Sequence, residues 1–204
     1  MVKDKAEYAE FISIIDALAL TDYYKTDTHW KQEEIIDVAE KLAQSMGVTL
    51  GGEYDINTLD RPFYGVYHGQ SALNLPADQI KYLTNDVLNS LVVKVPNALG
   101  VGLTEAPLYN MTKAEGNDAY DMFLSGARVS LVTIENPKAV SDKELIVFRD
   151  SYGSSLVPLL AEGYAKVTVI DLREITVPQL LAMDLVDFES ADDILFIYSS
   201  LILN

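Results

Sequence analysis

Cysteine is absent from the 204 residues, so disulfides and a cysteine nucleophile are both excluded. That absence does not fix a compartment, since it suits the cytoplasm and equally an exported bacterial protein without disulfides. Histidine is nearly absent: His29 and His68 are the 2 imidazoles of the chain. Basic residues are scarce, with 15 Lys and Arg against 31 Asp and Glu and a net charge of −16. Nucleic acid and anionic membrane both demand clustered cations, so neither is an expected partner. No apolar run approaches the roughly 20 residues of a membrane span; "ILFIYSSLIL" is the longest and lies near the C-terminus. The opening "MVKDKAEYAEF" mixes charges and leads into no apolar core, unlike a signal peptide. Repeats, low-complexity tracts and linkers are missing too. What is present is 49% hydrophobic residues in a length suited to one domain, 1–204, with a sizeable core.

Residues 6–20 carry apolar side chains at helix-like spacing. "KQEEIIDVAEKLAQSMG" predicts a clearer helix, with Ile35, Ile36, Ala39, Leu42 and Ala43 on one face and Gly47 as its stop. Residues 48–76, rich in Gly, Tyr, Asn and Pro, read as loops or irregular strands, and "PADQIKYLTNDVLNSL" predicts another helix. The last third is more regular. "RVSLVTI", "ELIVFRD", "KVTVIDLR" and "DILFIYS" read as buried strands, with helix-like "SSLVPLLAEGY" and "VPQLLAMDLVDFES" between the later ones. A β-α-β-α-β alternation predicts parallel strands with helices on both faces. Right-handed crossovers bring the C-terminal ends of such strands to one edge, where ligands bind. Asp150 and Ser151, Leu172 and Arg173, and Ser199 and Ser200 are placed there.

In "KELIVFRDSYGSSLVPLL" a buried strand breaks at Arg149-Asp150-Ser151 and restarts as a helix. A serine at a sharp strand-to-helix turn has the form of a nucleophile elbow, with helix amides facing charge that develops on a bound carbonyl. Gly153 would let the backbone approach a ligand, and Ser154 or Ser155 would cap the helix. A plainer reading has Asp150 and Ser151 only cap and turn the chain. A nucleophilic serine needs a base. His29 lies in "TDTHW", two residues after Asp27, so the carboxylate can bind one ring nitrogen and raise the basicity of the other. The alternative is an Asp27 or Thr28 helix cap with His29 on the surface. One Asp and one His make half a metal site, so no metal is expected. His68 has no adjacent carboxylate and reads as a loop histidine.

"TDTHW" followed much later by "FRDSYGSSL" resembles the DHHW proteins of bacteria and the alginate O-acetyltransferase group, both of the SGNH-hydrolase-like superfamily. The resemblance runs from about Tyr23 to the C-terminus. It implies a three-layer α/β/α sandwich with a mainly parallel sheet, and a triad of Ser151, His29 and Asp27. Asp-x-His precedes Ser here, the reverse of ordinary members and similar to the permuted acetyltransferase branch. Thr28 stands where the first His of D-H-H-W would be, and Arg149 where a Gly usually precedes Asp-Ser. No match is found for the oxyanion Gly and Asn of ordinary members. Amides of Ser151 and Tyr152, with Arg173, Ser199, Ser200 and Trp30, are the substrate or oxyanion candidates.

The implied chemistry is acyl transfer, most simply of acetyl, from an ester to water or to a sugar hydroxyl, with no cofactor. The implied substrate is a cell-surface or extracellular carbohydrate or other acyl ester. Export or membrane anchoring is also implied, with an N-terminal anchor outside this chain. The sequence does not separate hydrolysis from transfer and does not fix an oligomeric state. A catalytically inactive carbohydrate-binding or scaffolding relative stays open, since aromatics such as Tyr23, Tyr24, Trp30, Tyr54, Tyr64 and Tyr67 crowd the front half. A flavodoxin-like nucleotide binder lacks the Gly-rich loop it would need.

Overall fold

The computed structural model describes residues 8–71, 75–97 and 102–200. Its centre is a 6-stranded sheet in the order β4-β3-β5-β7-β6-β8. The strands are β3 (Val92–Pro96), β4 (Leu103–Ala106), β5 (Leu131–Glu135), β6 (Glu144–Arg149), β7 (Lys166–Ile170) and β8 (Asp193–Ile197). A separate antiparallel pair joins β1 (Asp55–Thr58) to β2 (Lys81–Thr84). The helices are α1 (Ile36–Ser45), α2 (Val66–Ser71), α3 (Met111–Ala114), α4 (Gly153–Leu160) and α5 (Val177–Met183).

The α/β class and the C-terminal alternation are present. The mainly parallel sheet is not. β7-β6-β8 is parallel, whereas β7-β5, β5-β3 and β3-β4 are antiparallel. The reason lies in the links. Parallel neighbours need a crossover of about a dozen residues or more, commonly a helix. α4 and α5 provide these between β6, β7 and β8, but the link 136–143 between β5 and β6 holds no helix and reverses the chain.

Strand side chains alternate between two faces. Leu145 and Val147 of β6 join a core with Val38, Ala39 and Leu42 of α1 and Leu156, Leu159 and Leu160 of α4. Ile146 and Phe148 join another with Leu180 of α5. Further differences concern the front half. Residues 8–20 form no α-helix, only 3₁₀ turns at Ile15–Ala17 and Leu20–Asp22. Residues 76–91 are not one helix either: they hold β2, whose Leu83 is buried, and a 3₁₀ turn at Leu88–Ser90. Partner pairing with β1 outweighs their local helix-like spacing.

Candidate active site

β6 delivers the turn. Beyond Arg149, the Asp150 carboxylate accepts the Tyr152 N–H at 3.0 Å and the Ser199 N–H at 2.7 Å, so it turns the chain and ties down the end of β8. Ser151 follows, half-buried, at the C-terminal edge of the parallel strands. Two local expectations need correcting. A Cβ on Gly153 would lie 2.7 Å from Arg149 Cβ, so this glycine makes room for Arg149 rather than for a ligand. Ser154 and Ser155 do not cap α4. Ser154 Oγ accepts from Arg149 Nη1 at 3.1 Å, and Ser155 Oγ accepts from Trp30 Nε1 at 3.0 Å and lies 2.8 Å from the Tyr120 hydroxyl.

The segment that meets this turn is a bent loop. It closes through Tyr24 N–H to His29 O at 3.1 Å and Lys31 N–H to Asp22 O at 2.7 Å. Thr26 inside it is buried, and its amide and hydroxyl both donate to Asp78 Oδ2 at 2.7 Å. Asp27, 1% exposed, accepts at Oδ1 from the His29 ring Nδ1 at 2.5 Å and from the His29 amide at 2.9 Å. Its Oδ2 accepts the Val66 N–H at 2.9 Å. Burial pushes the Asp27 carboxyl up, but the His29 hydrogen bond and charge and the two amides outweigh it, leaving it below the usual 3.8. An ionised carboxylate only accepts, so Nδ1 carries the proton. Nε2 of the neutral ring is then an acceptor, and it lies 2.8 Å from Ser151 Oγ.

The structure therefore brings Asp27, His29 and Ser151 into one hydrogen-bonded line, although Ser151 and His29 are 122 positions apart. Chemically, such a line can take a proton from the serine hydroxyl and return it. Of the other residues singled out by sequence, Tyr152, Trp30 and Ser199 have polar groups engaged by neighbours. The Tyr152 amide is committed to Asp150, and its hydroxyl donates to Thr28 O at 2.6 Å. The Ser151 amide has no acceptor among the described residues. Trp30 is 3% exposed, and its indole N–H is shared by Tyr152 O and Ser155 Oγ. It clamps the loop to the start of α4 and offers no open face for a sugar. Ser199 gives its amide to Asp150, and Ser200 is exposed. Trp30, Tyr152, Ser199 and Ser200 share the lining of a cavity of about 210 Å³ with Tyr23 and Ile197.

Arg173 does not join the Ser151–His29 pair. Its guanidinium holds Asp171 at 2.9 and 2.6 Å, and that hydrogen bonding raises its pKa. The fully buried Arg149 reaches Asp171 at 3.6 Å; burial lowers its pKa and the Asp171 charge opposes that. His68 lies in α2, not in a loop, with its ring 4.5 Å from that of Tyr64.

Sequence reasoning missed Tyr120, whose ring stacks on His29 at a centroid distance of 4.0 Å. It also missed Gly65 and Val66, which close on Asp27, and Gln32, which donates to Ser155 O at 2.8 Å and accepts the Leu83 N–H at 2.8 Å. No motif flags these residues, because long-range packing alone brings them in. Among the described residues, no group of His, Asp or Glu is arranged to hold a metal ion, and no helix is long and apolar enough to cross a membrane.

No family model matches the sequence, and no curated protein matches it. Solved structures do match. A DHHW family protein from Eubacterium siraeum superposes with a TM-score of 0.65 at 18% identity, over 87% of this chain and 58% of that one. Bacillus cereus PatB1 superposes with a TM-score of 0.67 at 19% identity when carrying a sulfonyl adduct, over 90% of this chain and 62% of that one. A second structure of Bacillus cereus PatB1 superposes with a TM-score of 0.65 at 19% identity, over 90% of this chain and 64% of that one. The chain thus spans about three fifths of the length of these neighbours. At these identities the likeness is one of fold: the chain has the fold of a DHHW family protein and of PatB1.

Proposed function

We propose that the chain is a serine-dependent O-acyl esterase or transferase, most simply for acetyl, acting on a cell-surface or extracellular carbohydrate. Its setting is a single SGNH-hydrolase-like α/β/α domain with permuted motif order. The observation that carries the reading is the line from Asp27 through His29 to Ser151, with contacts of 2.5 and 2.8 Å. Ser151 Oγ attacks the ester carbonyl while His29 Nε2 takes its proton. The uncommitted Ser151 amide is available as a donor to the oxygen that becomes negative. His29 then protonates the leaving alcohol, and Ser151 holds the acyl group as an ester. Water or a sugar hydroxyl, deprotonated by His29, attacks that ester, and Ser151 regains its proton. Asp27 keeps the ring in the required tautomer and stabilises the imidazolium. The family resemblance supports the carbohydrate substrate and the envelope or extracellular location.

One observation favours a second reading, an inactive carbohydrate-binding relative: the Tyr152 amide, expected to help bind the oxyanion, is committed to Asp150. The two readings part in a labelling experiment. Incubation with a sulfonyl fluoride or an activated acetyl ester is expected to modify Ser151, and not the buried Ser154 or Ser155, as located by peptide mass spectrometry. The adduct should vanish in Ser151→Ala and form far more slowly in His29→Gln, because an unassisted hydroxyl is a weak nucleophile at neutral pH. A folded protein that stays unlabelled, or label that persists in Ser151→Ala, overturns the enzymatic reading.

A further inference from the structure

We propose that Tyr120 is a positioning residue for His29: its buried ring is a fixed π face that holds the imidazole in plane and stabilises the imidazolium formed during acyl transfer. The inference rests on the acyl-transfer reading and adds a residue to it. The two in-line bonds, His29 Nδ1 to Asp27 and Nε2 to Ser151, fix the ring at two points. Rotation about the Cβ–Cγ bond would break both, so a surface that blocks that rotation serves to hold Nε2 aimed at Oγ as protons move.

Tyr120 provides that surface. Its ring lies against His29 with centroids 4.0 Å apart and planes 11° from parallel. Neutral aromatic pairs favour edge or offset contacts, whereas a cation gains from lying over an aromatic face within about 6 Å. The stack places the His29 ring over an aromatic face at a distance where the protonated ring that appears midway through the reaction gains from it. The Tyr120 ring is itself immobile. It is 3% exposed, its hydroxyl is 2.8 Å from Ser155 Oγ, its amide donates to Asp118 Oδ1 at 3.0 Å, and Phe123 packs at 5.1 Å. Tyr24 meets it edge-on at 6.4 Å. Burial raises its hydroxyl far above the usual value, so the face stays neutral at working pH. The Tyr152 ring is tilted by 50° at 5.1 Å, which leaves Tyr120 the only parallel partner among the described residues. The charged or titratable groups facing His29 are Asp27, Asp118, Tyr120 and Tyr152.

The test pairs Tyr120→Phe, which keeps the face, with Tyr120→Leu, which keeps bulk but removes it. Tyr120→Met serves if the leucine variant does not fold. Leu or Met is expected to lower kcat roughly 3- to 30-fold with KM little changed, the range of a cation–π contact, and Phe to cost much less. The acidic limb of kcat/KM should move to lower pH in the Leu or Met variant and stay in place in the Phe variant. NMR titration of the 2 histidines gives a readout free of activity. The His29 midpoint should fall in Leu or Met relative to wild type, and the His68 midpoint should hold still as a control. A His29 midpoint and acidic limb unchanged in a folded Leu or Met variant overturn the proposal. A wild-type protein with neither turnover nor Ser151 labelling sinks the acyl-transfer reading instead, and the NMR arm still decides the role of the Tyr120 face.

Discussion

Substituting Gly65 by alanine puts the site under its sharpest test, because a single methyl group would strike one residue. A Cβ built on Gly65 lies 2.2 Å from Asp27 Cβ, 2.3 Å from its Oδ2 and 2.6 Å from its Cγ, against 3.4–4 Å for ordinary contact. The backbone at Gly65 is not left-handed, so the penalty is steric and not conformational. Neither side can retreat easily. The Gly65 amide donates to Thr26 Oγ1 at 3.0 Å, the Val66 amide to Asp27 at 2.9 Å and the Tyr67 amide to Thr26 O at 2.9 Å. The shortfall of more than an ångström must then be absorbed largely by the Asp27 carboxylate, which loosens its bond to His29. Overpacking of this size costs about 1–3 kcal/mol of stability. A misplacement of about 1 Å in a catalytic array costs on the order of 100-fold in rate. Gly65→Ala is therefore expected to remain folded, to lose about 1–3 kcal/mol in urea unfolding, and to lose roughly 100-fold in acetyl-ester turnover and in Ser151 labelling. Gly69→Ala is the control, since a Cβ there meets nothing within 4 Å. Turnover and labelling within roughly twofold of wild type in Gly65→Ala would refute the claim that Asp27 acts through its position.

With 2 histidines in the chain, one pair of variants assigns the base: His29→Gln should lose several orders of magnitude of turnover and His68→Gln little, and the reverse result rejects the pairing. Acid should erode stability through Asp27. Its folded pKa lies below the usual 3.8, so its contribution is complete above that value and disappears as pH falls further through the folded value. The gap in unfolding free energy between wild type and Asp27→Asn should thus narrow below pH 3.8, and a gap independent of pH would contradict the assigned shift.

The parts of the fold that were legible in sequence are those where pattern and burial coincide. β6 and β7 are short apolar runs because they lie inside the sheet, β8 at its edge buries Leu195 and Ile197, and α1 shows its apolar face because that face packs into the core shared by β6 and α4. Residues 76–91 misled because Ile80 and Leu83 are buried at helix-like spacing, yet β1 claims 81–84 as its partner. β3 and β4 lay in stretches to which the sequence reading assigned no element, and the antiparallel half of the sheet went unseen with them. Asp27-x-His29 and Ser151 were visible because the proposed chemistry needs particular residue types at a particular spacing. Tyr120 and Gly65 were not, because a ring stacked on His29 and a gap left for Asp27 are properties of packing between distant segments.

That distance between segments also explains how the site is held. Hydrogen bonds outside the Asp27–His29–Ser151 line tie the same two stretches together. Tyr152 donates to Thr28 O, Trp30 donates to Tyr152 O and Ser155 Oγ, and Gln32 donates to Ser155 O. Gln32 also accepts from Leu83 N–H and from the Tyr109 hydroxyl, which extends the tie to β2. Thr28, Trp30 and Gln32 alternate along the loop with His29 between the first two, so each step of the chain is pinned on either side of the imidazole. Closing a loop this long costs entropy that a single serine–histidine contact could not offset. The neighbouring bonds do so, and they would leave the His29–Ser151 contact free to make and break in the proposed proton transfer without the two segments coming apart.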